Sequence, residues 1–315
     1  MTTLVERVAA DLAADRPWEV EEAARRLAAD APADMPAAAV LFYGSVLRTR
    51  KLDDLLDFYV LTDGEARAPL VWPRVTFHEI NLGTRIVRAK VATMPLAIFR
   101  DAAEGRRLDT TIWTRFCQPN ALAWSRDDTA TGHVVRAIAS ATVTAAGYAA
   151  VLGPKAASAE DFWTALFECT YHTEFRVEAP GRNATIVSHA PDRYARLLPL
   201  AWTEAGIPFV RDGDRLRPDV PFALCLALVD GWRRRQAVGK ALNIIRLVKA
   251  AFTFQGAGRY ALWKIDRHTG VHIEPTRWRQ DHPVLAAPGV LWHLFRATRP
   301  KPRQESRQQP LRRAA

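Results

Sequence analysis

The chain has 315 residues, of which 49% are hydrophobic, 25% charged and 9% aromatic. This composition is that of an ordinary globular protein and excludes disorder, a collagen-like fibre and a disulfide-stapled miniprotein. The length predicts two domains, or one domain with large additions. Cys117, Cys169 and Cys225 stand far apart without a CxxC pair, so they indicate buried thiols in a reducing compartment rather than disulfides or a zinc site.

The net charge of +10 is distributed unevenly along the chain. From Gly231 to Ala315 there are 18 Lys and Arg against 4 Asp and Glu, a net charge of +14, whereas residues 1–230 carry −4. Such a block favours a polyanionic partner, either nucleic acid or an anionic membrane surface, with a solubilising tail as the alternative. The many acidic residues among the first thirty, and their lack of an apolar signal core, predict a cytoplasmic location.

Hydrophobic patterns and turn signals predict the elements in chain order. These are helices over 4–14 and 18–29, strands over 37–43, 55–61, 75–82 and 84–93, helices over 95–103, 133–152, 158–173 and 191–205, and a helix through Trp232 and Leu247. A stretch rich in Pro, Gly and Asp, 208–221, separates the last two helices. Ser158 and Asp161 have the spacing of a capping box. The uncharged stretch between Arg136 and Lys155 is mostly small residues, so we expect a packed helix there rather than a membrane span.

This order of elements predicts an α/β (α+β) fold, in which a sheet domain precedes a mostly helical domain and a basic C-terminal segment. The predicted parts are N-terminal helices over 1–34, the sheet domain over 35–129, the helical domain over 130–220 and the basic segment over 221–315. In the last part, Val290–Phe295 is aromatic and leucine-rich and precedes four basic residues. That pattern is typical of a membrane interface, although a core helix with a basic tail would share it.

The residues that indicate chemistry lie around the first two predicted strands. The first strand ends in Gly44 and Ser45, where a backbone without a Cβ can approach a triphosphate and a serine hydroxyl can bind its oxygens. Twelve residues after Ser45, Asp57 interrupts an apolar strand. Burying an unpaired charge there would cost roughly several kcal/mol of lost hydration. A divalent cation bound to the carboxylate would offset that cost. A structural aspartate in a chance strand pair is the alternative.

Gly-Ser, a short helix and an acidic strand together resemble the DNA polymerase β type of nucleotidyltransferase. In those enzymes Mg²⁺ bridges carboxylates and nucleotide phosphates. The usual second carboxylate, two residues away from the first, is absent, because Leu55 and Tyr59 occupy those positions. The resemblance implies Mg²⁺ bound by Asp57, with Asp54 or Asp53 of the preceding loop as the compensating ligand.

A more particular resemblance rests on motifs that occur in a shared order. They are Tyr43-Gly-Ser45, Leu56-Asp-Phe58, the strand Thr84–Val91, Glu160-Asp-Phe162, Thr170–Arg176 and Asn243-Ile-Ile-Arg246. Over most of the chain these resemble the mitochondrial translocator assembly and maintenance family of peripheral phosphatidate cytidylyltransferases. The chain departs from the family pattern at Val46, where the family has glycine, and directly after Arg246.

The family resemblance implies the reaction of CTP with phosphatidate to give CDP-diacylglycerol and pyrophosphate, with Mg²⁺, in phospholipid biosynthesis. The implied catalytic residues are Asp57, Lys90 and Arg176, and the implied metal ligands are Asp57 and Asp54. The implied nucleotide-binding residues are Tyr43, Gly44, Ser45, Arg88, Tyr171, Glu174 and Arg246. The enzyme would be cytoplasmic, peripherally associated with the inner face of the cell membrane, and would bind phosphatidate in an anionic membrane surface rather than nucleic acid.

Several of these residues also have a structural interpretation. Arg88 and Lys90 alternate with apolar residues, so both could face solvent, and Glu174 could pair with Arg176 on the surface. Two other functions also remain open. One is a nucleotidyltransferase that acts on RNA, protein or a small molecule. The other is a non-catalytic protein that binds membranes or nucleic acid, which the missing carboxylate pair and the +14 segment favour.

Overall fold

The computed structural model describes most of the chain and divides it into two units, Met1–Gln255 and Gly256–Ala315. The described residues are 2–64, 73–174, 186–253, 256–269, 271, 273, 274, 276–278, 286, 288–290 and 292. Of residues 174, 246–253, 257 and 268, only the backbone is described. All three predicted boundaries, 34/35, 129/130 and 220/221, lie inside the first unit, and the four-part division stays a prediction.

The first unit is built on a five-stranded sheet in the order β3-β4-β2-β1-β5. Its strands are β1 (Ala37–Tyr43), β2 (Leu56–Thr62), β3 (Arg74–Asn81), β4 (Ile86–Pro95) and β5 (Asn120–Ser125). β2 runs antiparallel to β1 and parallel to β4. The predicted mixed α/β fold, with a sheet followed by a helical region, is confirmed.

The two faces of the sheet pack into separate hydrophobic cores. On one face, Val40, Phe58 and Val91 pack with α2 (Trp18–Ala29), and we call this the α2 face. On the other, Leu41 and Tyr59 join a larger core with α6, and we call it the α6 face. Because side chains alternate along a strand, a buried strand must be apolar on both faces, which explains the continuous apolar runs of β1 and β2.

The larger core contains helices that cover the α6 face and extend away from it. They are α1 (Leu4–Leu12), α4 (Leu96–Ala103), α5 (Thr111–Phe116), α6 (Asp128–Leu152), α7 (Ala159–Glu174) and α8 (Pro191–Glu204). Two buried tryptophans tie these helices together, since Trp163 Nε1 donates to the carbonyl of Tyr194 at 3.1 Å and Trp202 Nε1 to that of Ala146 at 2.9 Å. Pairing each buried indole N–H avoids the cost of an unsatisfied donor.

Among the described residues, α6 is the one helix long and apolar enough to cross a membrane by length and composition. In the structure, 67% of its apolar window is buried within the protein. Gly147 and several alanines lie on its buried side, where small side chains allow close approach of neighbouring helices. α6 therefore packs as a core helix, as the sequence predicts.

Most predicted elements agree with the structure, and α2 and β1 agree residue for residue. The capping box is also confirmed, because Ser158 N–H donates to Asp161 Oδ2 and Asp161 N–H to Ser158 Oγ, both at 3.2 Å. The stretch 208–221 does separate α8 from the next helix, as the sequence predicts. It contains a hairpin of β7 (Phe209–Asp212) and β8 (Arg215–Pro218), which joins β6 (Ala157–Ser158) in a second sheet. Its two-residue loop is Gly213-Asp214, and a glycine with a positive φ, here +61°, in such a loop is a hairpin signal.

The long helix α9 (Phe222–Thr253) is anchored to the rest of the first unit by a buried arginine. Arg235 donates to the hydroxyl of Tyr148 at 2.7 Å, to the carbonyl of Arg107 at 3.0 Å, and to the carbonyl of Gly105. Its side chain therefore satisfies two carbonyl groups of the loop after α4. Because Arg235 is charged and buried, moving α9 would leave its charge without these hydrogen bonds. Arg235 therefore fixes the position of α9.

We expect Arg235→Met to lower the free energy of unfolding by about 2–4 kcal/mol, because it leaves buried acceptors unpaired. The measurement is urea unfolding of the full chain. The control is Arg234→Met, one residue away on the exposed side of α9, where Arg234 pairs with Asp230. That change should alter stability by no more than about 0.5 kcal/mol. Equal effects of the two substitutions would contradict the anchoring role of Arg235.

The second unit contains α10 (Ala257–Thr269). Its described side chains include aromatic and basic groups that lie close together. The rings of Tyr260 and Trp263 have centroids 6.1 Å apart. Lys264 lies 5.9 Å from the Tyr260 centroid and Arg267 lies 5.5 Å from that of Trp263. These are cation–π distances, so each ring offsets part of a neighbouring positive charge. Most of the basic residues after this helix lie outside the described residues.

Candidate functional site

The candidate site begins where β1 ends. Gly44 has φ +94° and ψ −161°, a backbone conformation that is essentially restricted to glycine, and it leads directly into α3 (Ser45–Thr49). This short helix ends at Arg50, which adopts a left-handed conformation with φ +58°. The chain therefore bends sharply at both ends of α3. Strained backbone conformations of this kind persist only where the surrounding structure holds them in place.

Asp57 stands directly beside this bend. In the sheet register it lies opposite Tyr43 of β1 on one side and Lys90 of β4 on the other. A Cβ added to Gly44 would be only 2.6 Å from Asp57 Oδ2. The carboxylate therefore points at the glycine, and any other residue at position 44 would collide with it. The structure thus brings together Tyr43, Gly44, Asp57 and Lys90, four of the predicted site residues.

Three cationic side chains surround the Asp57 carboxylate: Lys90, Arg115 and Arg48, in decreasing order of their effect on its pKa. Each lowers that pKa, yet the loss of hydration on burial is larger, so the pKa of Asp57 is raised above its usual value. All three cations are half-buried. Asp57 and the three cations therefore form a half-buried, positively charged group, which we call the Asp57 recess, and a carboxyl group with a raised pKa in such surroundings is typical of functional sites.

Arg115 is a site residue that the sequence did not reveal. It comes from α5, and its Nη1 donates to the hydroxyl of Tyr59 at 3.0 Å. Its guanidinium carbon lies 5.2 Å from the ring centroid of Tyr43 and 5.8 Å from that of Tyr59. Phe116 packs edge-on against Tyr59 with centroids 5.1 Å apart. This aromatic support fixes the direction of the Arg115 charge, which is the property that anion recognition requires.

Arg48 connects the Asp57 recess to a second group of residues. Besides lowering the pKa of Asp57, its charge acts on Tyr194 of α8, which also feels Tyr171 of α7. Burial raises the pKa of Tyr194, and its hydroxyl has no hydrogen-bond partner among the described residues. The predicted residue Tyr171 therefore lies near Tyr194, as Arg48 does.

The remaining predicted residues are placed differently. Arg88, two residues before Lys90, donates from Nε to Glu79 of the edge strand at 3.1 Å, so an acidic neighbour offsets its charge. Asp54 lies in the loop before β2, where its N–H donates to the carbonyl of Lys51. Arg176 lies outside the described residues. For Glu174 and Arg246 the backbone is helical and their side chains lie outside the description.

The fit of the predicted magnesium ion can be judged from the donor set. Among the described residues there is no group of three or more His, Cys, Asp or Glu side chains placed to hold a metal ion. Asp57 itself faces three cations, which oppose the binding of a dication. The expected site has two carboxylates, Asp57 and Asp54, so the absence of a larger group among the described residues does not decide it. Mg²⁺ bound by Asp57 and Asp54 stays a prediction.

Comparison with known proteins adds little to this geometry. No family model matches the chain, and no curated protein matches it. One similar solved structure is a nucleotidyltransferase-like protein from Exiguobacterium sibiricum 255-15, with 12% sequence identity and a TM-score of 0.25. The alignment covers 88% of this chain and 91% of that one. Similarity at this level carries no conclusion about function, and membership of the translocator assembly and maintenance family stays a prediction.

Proposed function

We propose that the protein is a nucleotidyltransferase whose nucleoside triphosphate binds at the Gly44 bend. The observation that carries the proposal is the Asp57 carboxylate, held against Gly44 and surrounded by Lys90, Arg115 and Arg48. Three cations are suited to a triphosphate, whose charge is several times that of a simple carboxylate ligand. The absence of a Cβ at position 44 makes room for the Asp57 carboxylate beside the bend.

Each residue has a distinct part in the proposed reaction. The cations neutralise the charge that accumulates on the departing pyrophosphate, which is usually the largest contribution to such a transfer. Ser45 and the bend position the phosphates for in-line attack. Asp57, whose pKa burial raises, can hold the proton released by an attacking hydroxyl or orient the cations when the acceptor is already ionised.

The more particular proposal is that the nucleotide is CTP and the acceptor is phosphatidate. Its support is the shared order of short motifs, since a phosphate oxygen of phosphatidate would attack the α-phosphorus of CTP. A new bond from that oxygen to the α-phosphorus forms, the bond from the α-phosphorus to the bridging oxygen breaks, and pyrophosphate leaves with the electron pair. A phosphate monoester is ionised near neutral pH, so this acceptor requires no strong base.

We further propose that the enzyme associates peripherally with the cytoplasmic face of an anionic membrane. The support is the +14 charge of residues 231–315 together with exposed tryptophans in the second unit, Trp278 at 55% and Trp292 at 62% exposure. Basic residues near an anionic bilayer contribute about 1 kcal/mol each, and indole rings favour the headgroup region.

The function is tested by incubating the purified full chain with each of the four α-labelled nucleoside triphosphates, with Mg²⁺ or with EDTA, and with phosphatidate liposomes. The expected result is a labelled CDP-lipid and pyrophosphate from CTP. Label on RNA, protein or a small molecule instead would retain nucleotidyl transfer and reject phosphatidate as the acceptor. If none of the four triphosphates binds, the proposal fails and a non-catalytic role in membrane or nucleic-acid binding takes its place.

The contribution of the recess to nucleotide binding is tested by Lys90→Gln and Arg115→Gln. Each removes one of the cations around Asp57, and we expect each to weaken triphosphate binding about 10-fold. Isothermal titration measures the affinity at two salt concentrations, because loss of a cation also lowers the salt dependence.

The matched control is Arg85→Gln, on the approach to β4, where Arg85 pairs with Asp53 and Glu19 rather than with Asp57. Its affinity for the triphosphate should stay within about twofold of the unsubstituted protein. Unchanged affinity in both Lys90→Gln and Arg115→Gln would remove the recess from the binding site.

A further inference from the structure

The long helix α9 presents large apolar side chains to solvent. Phe222 is 78% exposed and Leu226 55%, and farther along the helix Ile244 is 54% and Ile245 50% exposed. Phe222, Leu226 and Ile244 lie on one side of α9, because steps of four and eighteen residues are close to whole turns of about 3.6 residues. A single exposed apolar residue is ordinary on a protein surface, whereas a row of them along one helix indicates an interaction surface.

Basic side chains occupy the middle of the same side of α9. Arg233 lies seven residues, about two turns, after Leu226, and Lys240 lies seven residues after Arg233. Both are exposed. Between Asp230 and Asp266 the sequence contains eight Lys and Arg and no acidic residue. We call this side of α9 the outer face, and its residues are Phe222, Leu226, Arg233, Lys240 and Ile244.

Contacts along another side of α9 keep the outer face at the surface. Trp232 and Arg235 are each only 5% exposed, and Arg235 holds the loop after α4. One turn farther on, a Cβ added to Gly239 would lie 2.8 Å from the carbonyl oxygen of Thr173, so α9 touches the backbone of α7. Because α9 is fixed along this side, its outer face cannot rotate into the core to bury Phe222.

The mixture of apolar and basic residues selects among polyanionic partners. A bilayer with anionic lipids accepts apolar side chains at the boundary of headgroups and acyl chains, and basic side chains among the headgroups. Nucleic acid would satisfy Arg233 and Lys240 through its phosphates. It would leave Phe222 and Leu226 against a charged, hydrated backbone, so the bilayer is the better match for the whole face.

The same charges act against a second copy of the chain as the partner. An antiparallel pairing that places Phe222 against Ile244 of the copy is centred on position 233. The two Arg233 side chains would therefore meet in the middle of the contact, and no acidic residue of the outer face would offset them. Like charges brought together in this way oppose association.

We propose that the outer face of α9 is the surface by which the protein lies on an anionic bilayer. From Phe222 to Ile244 this face extends about 33 Å, so α9 would lie parallel to the membrane plane. The inference rests on the proposed membrane association and assigns it to a surface of the first unit. It requires neither nucleotide nor phosphatidate.

The test is flotation of the purified full chain with vesicles of phosphatidylcholine alone or with roughly one third phosphatidylglycerol, without nucleotide or phosphatidate. We expect binding to the anionic vesicles that weakens with added salt. Phe222→Gln combined with Leu226→Gln should weaken this binding about 10-fold through lost insertion. Arg233→Gln combined with Lys240→Gln should weaken it by a similar factor, roughly 10-fold or more, and should reduce its salt dependence.

The matched control is Trp18→Gln. Trp18 is 53% exposed on α2, which packs in the other hydrophobic core, and tryptophan is itself favoured at membrane interfaces. Its vesicle binding should stay within about twofold of the unsubstituted protein. All four side chains changed on the outer face are exposed, so thermal unfolding should be nearly unchanged in both variants.

The results separate this inference from the proposed function. If both outer-face variants bind anionic vesicles as the unsubstituted protein does, another part of the chain carries the membrane association and the inference is overturned. If the unsubstituted protein binds neither kind of vesicle, or binds duplex DNA more tightly than anionic vesicles, the inference is also overturned. Nucleotidyl transfer is read separately from the labelled triphosphates, so its failure would leave the vesicle result unaffected.

Discussion

Replacing Asp57 with asparagine is expected to reduce nucleotidyl transfer by about 100-fold or more while making the folded protein more stable at neutral pH. The activity falls because asparagine can neither accept a proton nor balance the three surrounding cations. Stability rises because burial raises the pKa of Asp57 above its usual value of 3.8, so the ionised carboxylate opposes folding.

The pH dependence has a definite sign. A carboxyl group whose pKa is raised in the folded state destabilises that state once the pH exceeds the raised value, and the penalty disappears below the usual value. Asp57→Asn should therefore melt at a higher temperature than the unsubstituted protein at pH 7, and the difference should vanish as the pH falls below about 4. Thermal unfolding followed by circular dichroism at both pH values measures it.

The matched control for Asp57→Asn is Asp63→Asn, the same substitution just beyond the other end of β2. Asp63 forms a partly exposed ion pair with Arg126 and lies away from the bend. The Asp63→Asn variant should retain nucleotidyl transfer and show no gain in stability at pH 7. If Asp57→Asn retained full turnover, or melted at a lower temperature than the unsubstituted protein at pH 7, the carboxylate would be a structural residue and the assignment of the site would fail.

Gly44→Ala is expected to disable the site and to destabilise the fold together. Alanine is strained at φ +94° and ψ −161°, at a cost of about 1–3 kcal/mol, and its Cβ would lie 2.6 Å from Asp57 Oδ2. The carboxylate must then move from its place beside Lys90. We expect transfer to fall by at least about 10-fold and the urea midpoint to drop.

Gly83→Ala separates the two causes. Gly83, in the turn between β3 and β4, also has a positive φ of +89°, yet nothing lies within 4 Å of an added Cβ. This variant should lose only about 1 kcal/mol through backbone strain and should keep its activity. If Gly44→Ala lost no more stability than Gly83→Ala and kept full activity, the position of the Asp57 carboxylate would not depend on the glycine.

Apolar patterning predicted the elements that carry the site because burial on both faces of a strand leaves a continuous signal. β1 and β2 were recognised in this way, as were Gly44 after the first and Asp57 within the second. α5 and β5 were missed. α5 has only six residues, and β5 contains alanine and asparagine where β-branched residues would have been informative. Arg115 lies on α5, so the sequence did not reveal it as a site residue.

The sequence by itself determined the order of elements, the glycine bend, the lone acidic residue in an apolar strand and the uneven distribution of charge, because each is a property of neighbouring residues. The tertiary structure alone decided that β2 and β4 run parallel with Asp57 opposite Lys90, and that Arg115 and Arg48 converge on the same carboxylate. It also formed the pocket between α2 and the sheet that Leu27 and Met35 line. These features join residues far apart in the chain, and their register is set by packing of the two cores rather than by any local pattern.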